Sequence, residues 1–129
     1  KLHDMLRDRI DIREIRVLTG DDRQECRTDS VEAFQSDRAR VLIATLGAGG
    51  LSISLHRTKP EQRPRTSILR PTYKADELLQ GLGRIYRAGM IGSVVQRIVL
   101  CSGTVEERVF RRLNAKLKNI ETLVDSDLL

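Results

Sequence analysis

The chain has no tryptophan, and its only aromatic residues are Phe34, Tyr73, Tyr86 and Phe110. A platform for stacking bases needs several aromatic faces in series, so contact with a nucleic acid should run to its backbone. Cysteine is as scarce. Cys26 and Cys101 stand alone without C-x-x-C spacing, which argues against zinc; two reduced thiols are the simpler reading, with a disulfide left open by sequence. No apolar run approaches the roughly 20 residues of a membrane span, and no signal peptide is visible. Internal repeats and low-complexity tracts are missing as well. Negative charge is the minority, 18 Asp+Glu against 23 Lys+Arg, giving +5 and favouring polyanionic partners. Neither G-x-x-x-x-G-K-[ST] nor D-E-x-H occurs, so the chain has no phosphate-cradling lysine and no Mg²⁺-holding carboxylate of those types.

What is present is an alternation of apolar runs and helical stripes. Leu2, Met5 and Leu6 fall at i, i+3 and i+4, a short amphipathic helix. Ile15, Val17 and Leu18 make a strand ended by Thr19-Gly20, and a polar helix is expected from Asp22 to Gln35 with Val31 and Phe34 turned inward. Val41-Leu42-Ile43-Ala44 has the continuous apolar character of a strand buried on both faces of a parallel sheet. His56 to Ser67 reads as a surface loop whose Arg57, Lys59, Arg63 and Arg65 are either solvated charge or a nucleic-acid contact. Strands are expected at Ile68-Leu69 and Val94–Leu100, with a helix from Lys74 to Arg87 between them. Thr104 and Glu107 have capping-box spacing. The helix they open carries Val105, Val109, Leu113, Leu117, Ile120 and Val124 on one stripe and Arg108, Arg111, Arg112, Lys116 and Lys118 on the other face. Strands alternating with helices over 129 residues predict one α/β domain with a mainly parallel sheet.

Two segments carry chemistry. In Gln80-Gly81-Leu82-Gly83-Arg84-Ile85-Tyr86-Arg87 the arginines are three apart, so on a helix they share a face and can aim two guanidinium forks at one anion. A phosphoryl-transfer site asks this of an arginine finger, whereas the plainer reading is a solvated basic face. Gly81 and Gly83 each cost a helix about 1 kcal/mol against alanine, which suggests a close approach by backbone or phosphate. In Thr45-Leu46-Gly47-Ala48-Gly49-Gly50-Leu51-Ser52-Ile53-Ser54, the missing side chains at Gly49 and Gly50 would let main-chain N–H donors reach an anion; a tight turn after the strand is the structural alternative, and both can hold together.

Leu18-Thr19-Gly20, Arg27, Phe34, the Ile43–Leu55 segment, Gln80–Arg87 and Gly103-Thr104-Val105-Glu106-Glu107-Arg108 follow one another in an order that resembles the second RecA-like lobe of superfamily-two helicases. The resemblance is strongest to the Swi/Snf-type DNA translocases and extends to helicases of large DNA viruses. It covers about Arg16 to Asn119 and implies a RecA-like three-layer α/β/α fold, with residues 1–129 forming a helicase C-terminal lobe that lacks its opening strand. The chain also starts on Lys-Leu-His rather than Met, and a longer polypeptide is expected.

By resemblance, Arg87 is the finger on the γ-phosphate with Arg84 beside it, and Gln80, Gly83 and Ser54 couple the nucleotide to the track. Thr45, Gly47, Gly49, Gly50 and Ser52 would hold nucleic-acid phosphates. Ser54 stands where related helicases carry Asn or Asp and Ser52 where Gly is usual, so ribose contact by Ser54 is not secured. Tyr86, at a place often held by His, receives no role; Arg27 and Phe34 are expected to serve packing and a local ion pair. ATP and Mg²⁺ would be bound mainly by a first RecA-like lobe of the same polypeptide, leaving this chain inactive by itself and without a metal site. The implied track is nucleic acid, duplex DNA ahead of RNA; an RNA helicase lobe and a non-catalytic nucleic-acid-binding or scaffold module are the alternatives. No membrane partner is expected, and the implied location is intracellular, in nucleus or cytoplasm, or in a viral factory or virion.

Overall fold

The computed structural model describes residues 2–46 and 53–126, the side chains of 117 and 119–126 aside. Packing divides the chain into two compact units, Lys1–Arg65 with Arg84–Val94, and Thr66–Gly83 with Val95–Leu129.

In the first unit, helix α1 (Leu2–Arg7) leads to a 3-10 turn at Ile12–Glu14, then to β1 (Ile15–Leu18). Asp11 starts the turn, its carboxylate accepting the Arg13 N–H at 2.9 Å. The short helix covers its stripe, but Leu2 and Met5 remain exposed. After β1 come α2 (Gln24–Gln35) and β2 (Val41–Ala44), which pairs with β1 in parallel, Ile15 opposite Val41 and Leu18 opposite Ala44. Parallel neighbours need a crossover, and α2 is that crossover.

Its inward residues are Ser30 and Ala33, small enough for close approach to the strands, rather than Val31 and Phe34, which are half-buried. Phe34 instead serves as a platform for a cation, with the Arg65 guanidinium over its ring, 4.4 Å from the centroid. Ile15 and Leu18 are buried while Val17 stays exposed; 15 and 18 point to opposite faces of the strand, so β1 buries one side chain on each face at its two ends and does not alternate. Residues 41–43 of β2 are only half-buried and Ala44 is exposed, so burial on both faces does not hold; α2 packs on the two strands, and among the described residues β2 has β1 as its single ladder partner.

α2 ends through Ser36 and Asp37, the latter left-handed at φ 58°, a conformation that Asp tolerates better than most residues. Asp37 then organises the long loop: its carboxylate accepts the Arg63 N–H and the Arg65 Nη1–H, both at 2.8 Å. Gln62 donates to the Gln35 carbonyl at 2.6 Å and accepts from the Thr58 and Lys59 N–H groups at 2.7 and 2.9 Å. Arg65 is 3% exposed. This corrects its reading as a nucleic-acid contact, because a guanidinium bonded to Asp37 and the Phe34 carbonyl from inside the unit does not reach a track.

The second unit holds β3 (Thr66–Leu69), α3 (Ala75–Leu82), β4 (Val95–Ile98) and α4 (Val105–Ser126). β3 and β4 pair in parallel from Thr66–Val95 to Leu69–Ile98. Among the described residues, Leu78 of α3 and Val109 and Leu113 of α4 are its buried apolar side chains, each worth about 1.5–3 kcal/mol when removed from water. Val105 is exposed, so the apolar stripe of α4 starts a turn later than its sequence period suggested.

The cap of α4 differs from the simple box. Thr104 Oγ1 accepts the Glu106 N–H at 3.2 Å, while Glu107 reaches back to the Gly103 N–H at 3.1 Å. Glu106, buried, accepts from the Cys101 N–H at 2.8 Å and from Arg70 Nε. The Cys101 N–H and then Arg70 hold its carboxyl below the usual carboxylate range. Cys26 and Cys101 are free and exposed. Among the described residues no helix is long and apolar enough to cross a membrane.

Candidate functional site

The carboxyl ends of β1 and β2 lie side by side, the usual place for a ligand in an open parallel sheet. Thr45 follows β2 directly, and its N–H continues the ladder onto the Leu18 carbonyl at 3.2 Å. That leaves its exposed side-chain hydroxyl to face outward chemistry. Gly47, Gly49, Gly50 and Ser52 lie outside the described residues.

The chain is described again from Ile53, and from there it runs against residues 84–91 of the same unit. Leu55, buried, donates its N–H to the Arg84 carbonyl at 2.9 Å, and Ile91 donates to the Arg57 carbonyl at 2.8 Å. Ile85, 4% exposed, anchors the segment. Above these backbone links, Arg87 Nη1 donates to the Ser54 hydroxyl at 2.6 Å. The finger candidate and the nucleotide-coupling candidate, 33 residues apart, thus touch. Arg84 is half-buried; burial first, and then the positive charge of Arg87, push its guanidinium pKa down. Two cations held within each other's field disfavour themselves and favour an anion between them.

The helix expectation fails here, with a clear cause. α3 stops at Leu82, Gly83 is its C-cap, and residues 83–86 form a turn. Helical φ/ψ at Gly81 and Gly83 is poorly favoured, and the Arg84 carbonyl accepts from Leu55 rather than from a fourth residue along a helix. Arg84 and Arg87 are therefore paired by tertiary bonds to the Ser54–Leu55 segment, not by sharing a helix face. Gly83 has φ −68°, and a Cβ there would meet the Leu79 carbonyl at an ordinary 3.4 Å, so neither strain nor crowding within the chain requires glycine. Gln80 is exposed on α3, in the second unit.

Two contributors escaped sequence reading. Gln35 holds the Ser54 carbonyl at 2.7 Å and the His56 carbonyl at 3.3 Å, fixing the backbone beneath the Ser54 hydroxyl. A polar residue at a helix end gives no sign of such a partner. A groove of about 280 Å³ opens beside Ser54, lined also by Gln24, Arg27, Thr28, Val31, Glu32 and Ile53. Arg27 donates to the Gly20 carbonyl, tying α2 to the turn after β1 through a hydrogen bond instead of the expected ion pair.

No family model matches the chain. It is 38% identical over 112 residues to an Acanthamoeba polyphaga mimivirus protein named "Putative ATP-dependent RNA helicase L364", a match covering 86% of this chain and 21% of that protein. Its fold is shared with the crystal structure of the C-terminal part of the Fun30 ATPase domain, at a TM-score of 0.70 and 18% identity, over 85% of this chain and 34% of that one. The chain is thus similar in sequence to part of a protein named as a helicase, and similar in fold to the C-terminal part of an ATPase domain. The chain spans about a fifth of its mimivirus relative, and its parallel β1–β2 and β3–β4 pairings with intervening helices are those of a RecA-like α/β fold.

Proposed function

We propose that this lobe is the C-terminal half of an ATP-dependent helicase or translocase motor and completes an ATPase site shared with a first RecA-like lobe of the same polypeptide. The observation that carries the proposal is the meeting of Arg87 with Ser54 beside a second, half-buried guanidinium, Arg84. This pair fits a polyphosphate. ATP supplies the transferable γ-phosphoryl group when bound; Arg87 meets charge developing on it, Arg84 adds a second fork, and Ser54 sets the reach of Arg87. Mg²⁺ would be held by a carboxylate of the first lobe. Thr45 and the glycine segment after it hold track phosphates, and Gln80 and Gly83 relay nucleotide state. Closure of two lobes on ATP and reopening after hydrolysis would step one lobe along the strand.

Duplex DNA is the proposed track. The name of the mimivirus relative says RNA, which is the second reading. Stimulation of turnover by matched DNA and RNA duplexes, in the full-length polypeptide, separates the two. DNA stimulation above RNA supports translocation on DNA, and the reverse order replaces it with an RNA motor. Turnover indifferent to both would remove the track from the account.

A further inference from the structure

α4 carries a charge pattern that its own stability does not explain. Arg108, Arg112 and Lys116 stand in one i, i+4 row, with Arg111 on the adjoining row, and all four are exposed. Residues 108–118 contain no Asp or Glu at all. Like charges four apart destabilise a helix by about 0.2–0.5 kcal/mol a pair, and cations in the N-terminal half gain nothing from the helix dipole. An acidic residue at any of these positions would have stabilised the helix. The acids α4 does have in this half are committed elsewhere, Glu106 to Arg70 and the Cys101 N–H, and Glu107 to the Gly103 N–H. Among the described residues, Arg108, Arg111, Arg112 and Lys116 take part in no ion pair. The adjoining row of the helix is turned inward by Val109 and Leu113.

We infer that this face is a second nucleic-acid contact, gripping the phosphate backbone of a duplex without reading its sequence. It belongs to the second unit, whereas Thr45, Ser54, Arg84 and Arg87 belong to the first, and it needs no nucleotide. At 1.5 Å per residue the row from Arg108 to Lys116 extends about 12 Å. Over that length a duplex carries about seven phosphates on its two strands, one per ~1.7 Å of axis, so phosphates outnumber the four cations. Arginine suits such a grip, presenting a fork to phosphate oxygens. The inference is independent of the arginine-finger reading, since it concerns binding without ATP.

The deciding experiment is binding of a 20-base-pair duplex to the 129-residue chain, without nucleotide, at a series of salt concentrations. Arg108→Ala/Arg112→Ala/Lys116→Ala should reduce the slope of log K against log[salt] by about two to three, some 0.9 per lost phosphate contact, and weaken all sequences alike. Alanine favours helix, so helicity by circular dichroism should hold. The charge-keeping Arg108→Lys/Arg112→Lys variant should retain the slope. An unchanged slope and affinity in the folded alanine variant would overturn the inference. So would equal loss in the lysine variant, or displacement of duplex by polyglutamate at lower charge concentration than by competing duplex, which would make the face a dock for an acidic protein.

Discussion

The ion pair of Arg65 with Asp37 gives a stability prediction whose parts can be separated. Arg65 is 3% exposed and Asp37 about 20%, with Nη1 and Oδ1 2.8 Å apart. Removing one partner of a buried pair typically costs about 3–5 kcal/mol, because the other charge is left in a poor solvent. Here the cost is smaller: Asp37 is partly wet, and Arg65 keeps the Phe34 carbonyl at 3.2 Å and the Phe34 ring. For Asp37→Asn, which keeps the shape and tolerates the left-handed backbone, we expect about 2 kcal/mol of destabilisation. That lowers Tm by about 8 °C in a chain of this size. Asp37→Ala should lose about 1 kcal/mol more, since alanine is poorly suited to φ 58°.

Urea unfolding at several pH values tests the electrostatic part. Burial pushes the Asp37 carboxyl up, but the Arg63 N–H and the Arg65 guanidinium outweigh it and hold the pKa below its ordinary value. With a depressed folded pKa, the stabilisation is complete above the unfolded value of about 3.9 and is lost as pH falls through the folded one. The gap between wild type and Asp37→Asn should therefore be constant from pH 7 to about 5 and shrink below about 4. A gap under 0.5 kcal/mol at neutral pH, or one that persists undiminished in acid, would refute the reasoning.

The 129-residue chain by itself should hydrolyse no ATP above background, and DNA-stimulated, Mg²⁺-dependent turnover by a clean preparation would end the shared-site account. Ser54→Ala, which removes the acceptor of the Arg87 bond, should lower kcat of the full-length protein about fivefold, the worth of about 1 kcal/mol at an exposed site; steady-state kinetics showing no change would make that contact incidental. Lys59→Ala/Arg63→Ala tests what remains of the basic loop once Arg65 is known to be internal: a lowered salt slope in duplex binding is expected, and an unmoved slope would mark these side chains as solvated surface.

Much of the fold was legible because it depends on local pattern. Val41–Ala44 and Ile15–Leu18 are apolar runs too short to be helices, and they pair in parallel as their crossover requires. Thr104 and Glu107 marked the start of α4 correctly although their partners differ from the simple box. What sequence missed is tertiary. The end of α3 at Leu82 follows from two glycines together with a Leu55–Arg84 bond 29 residues apart in sequence, which no local pattern displays. Arg65 looked like its loop neighbours Arg57 and Arg63, and only the return of the loop onto Asp37 and Phe34 makes it internal. In the candidate site, Arg84, Arg87 and Ser54 were singled out by motif resemblance and are brought together, while Gln35 beneath them gave no sequence signal.

The most direct test of the central claim is single-turnover ATP hydrolysis by the full-length polypeptide carrying Arg87→Ala or Arg87→Lys, with nucleotide affinity measured alongside. An arginine finger predicts a rate lower by about 10³–10⁵ for alanine, with ATP binding changed far less. Lysine should rescue poorly, because a point charge does not reproduce the planar fork. Turnover within a few-fold of wild type for Arg87→Ala would contradict the account, leaving the Arg87–Ser54 contact as a structural bond and the lobe without its assigned part in hydrolysis.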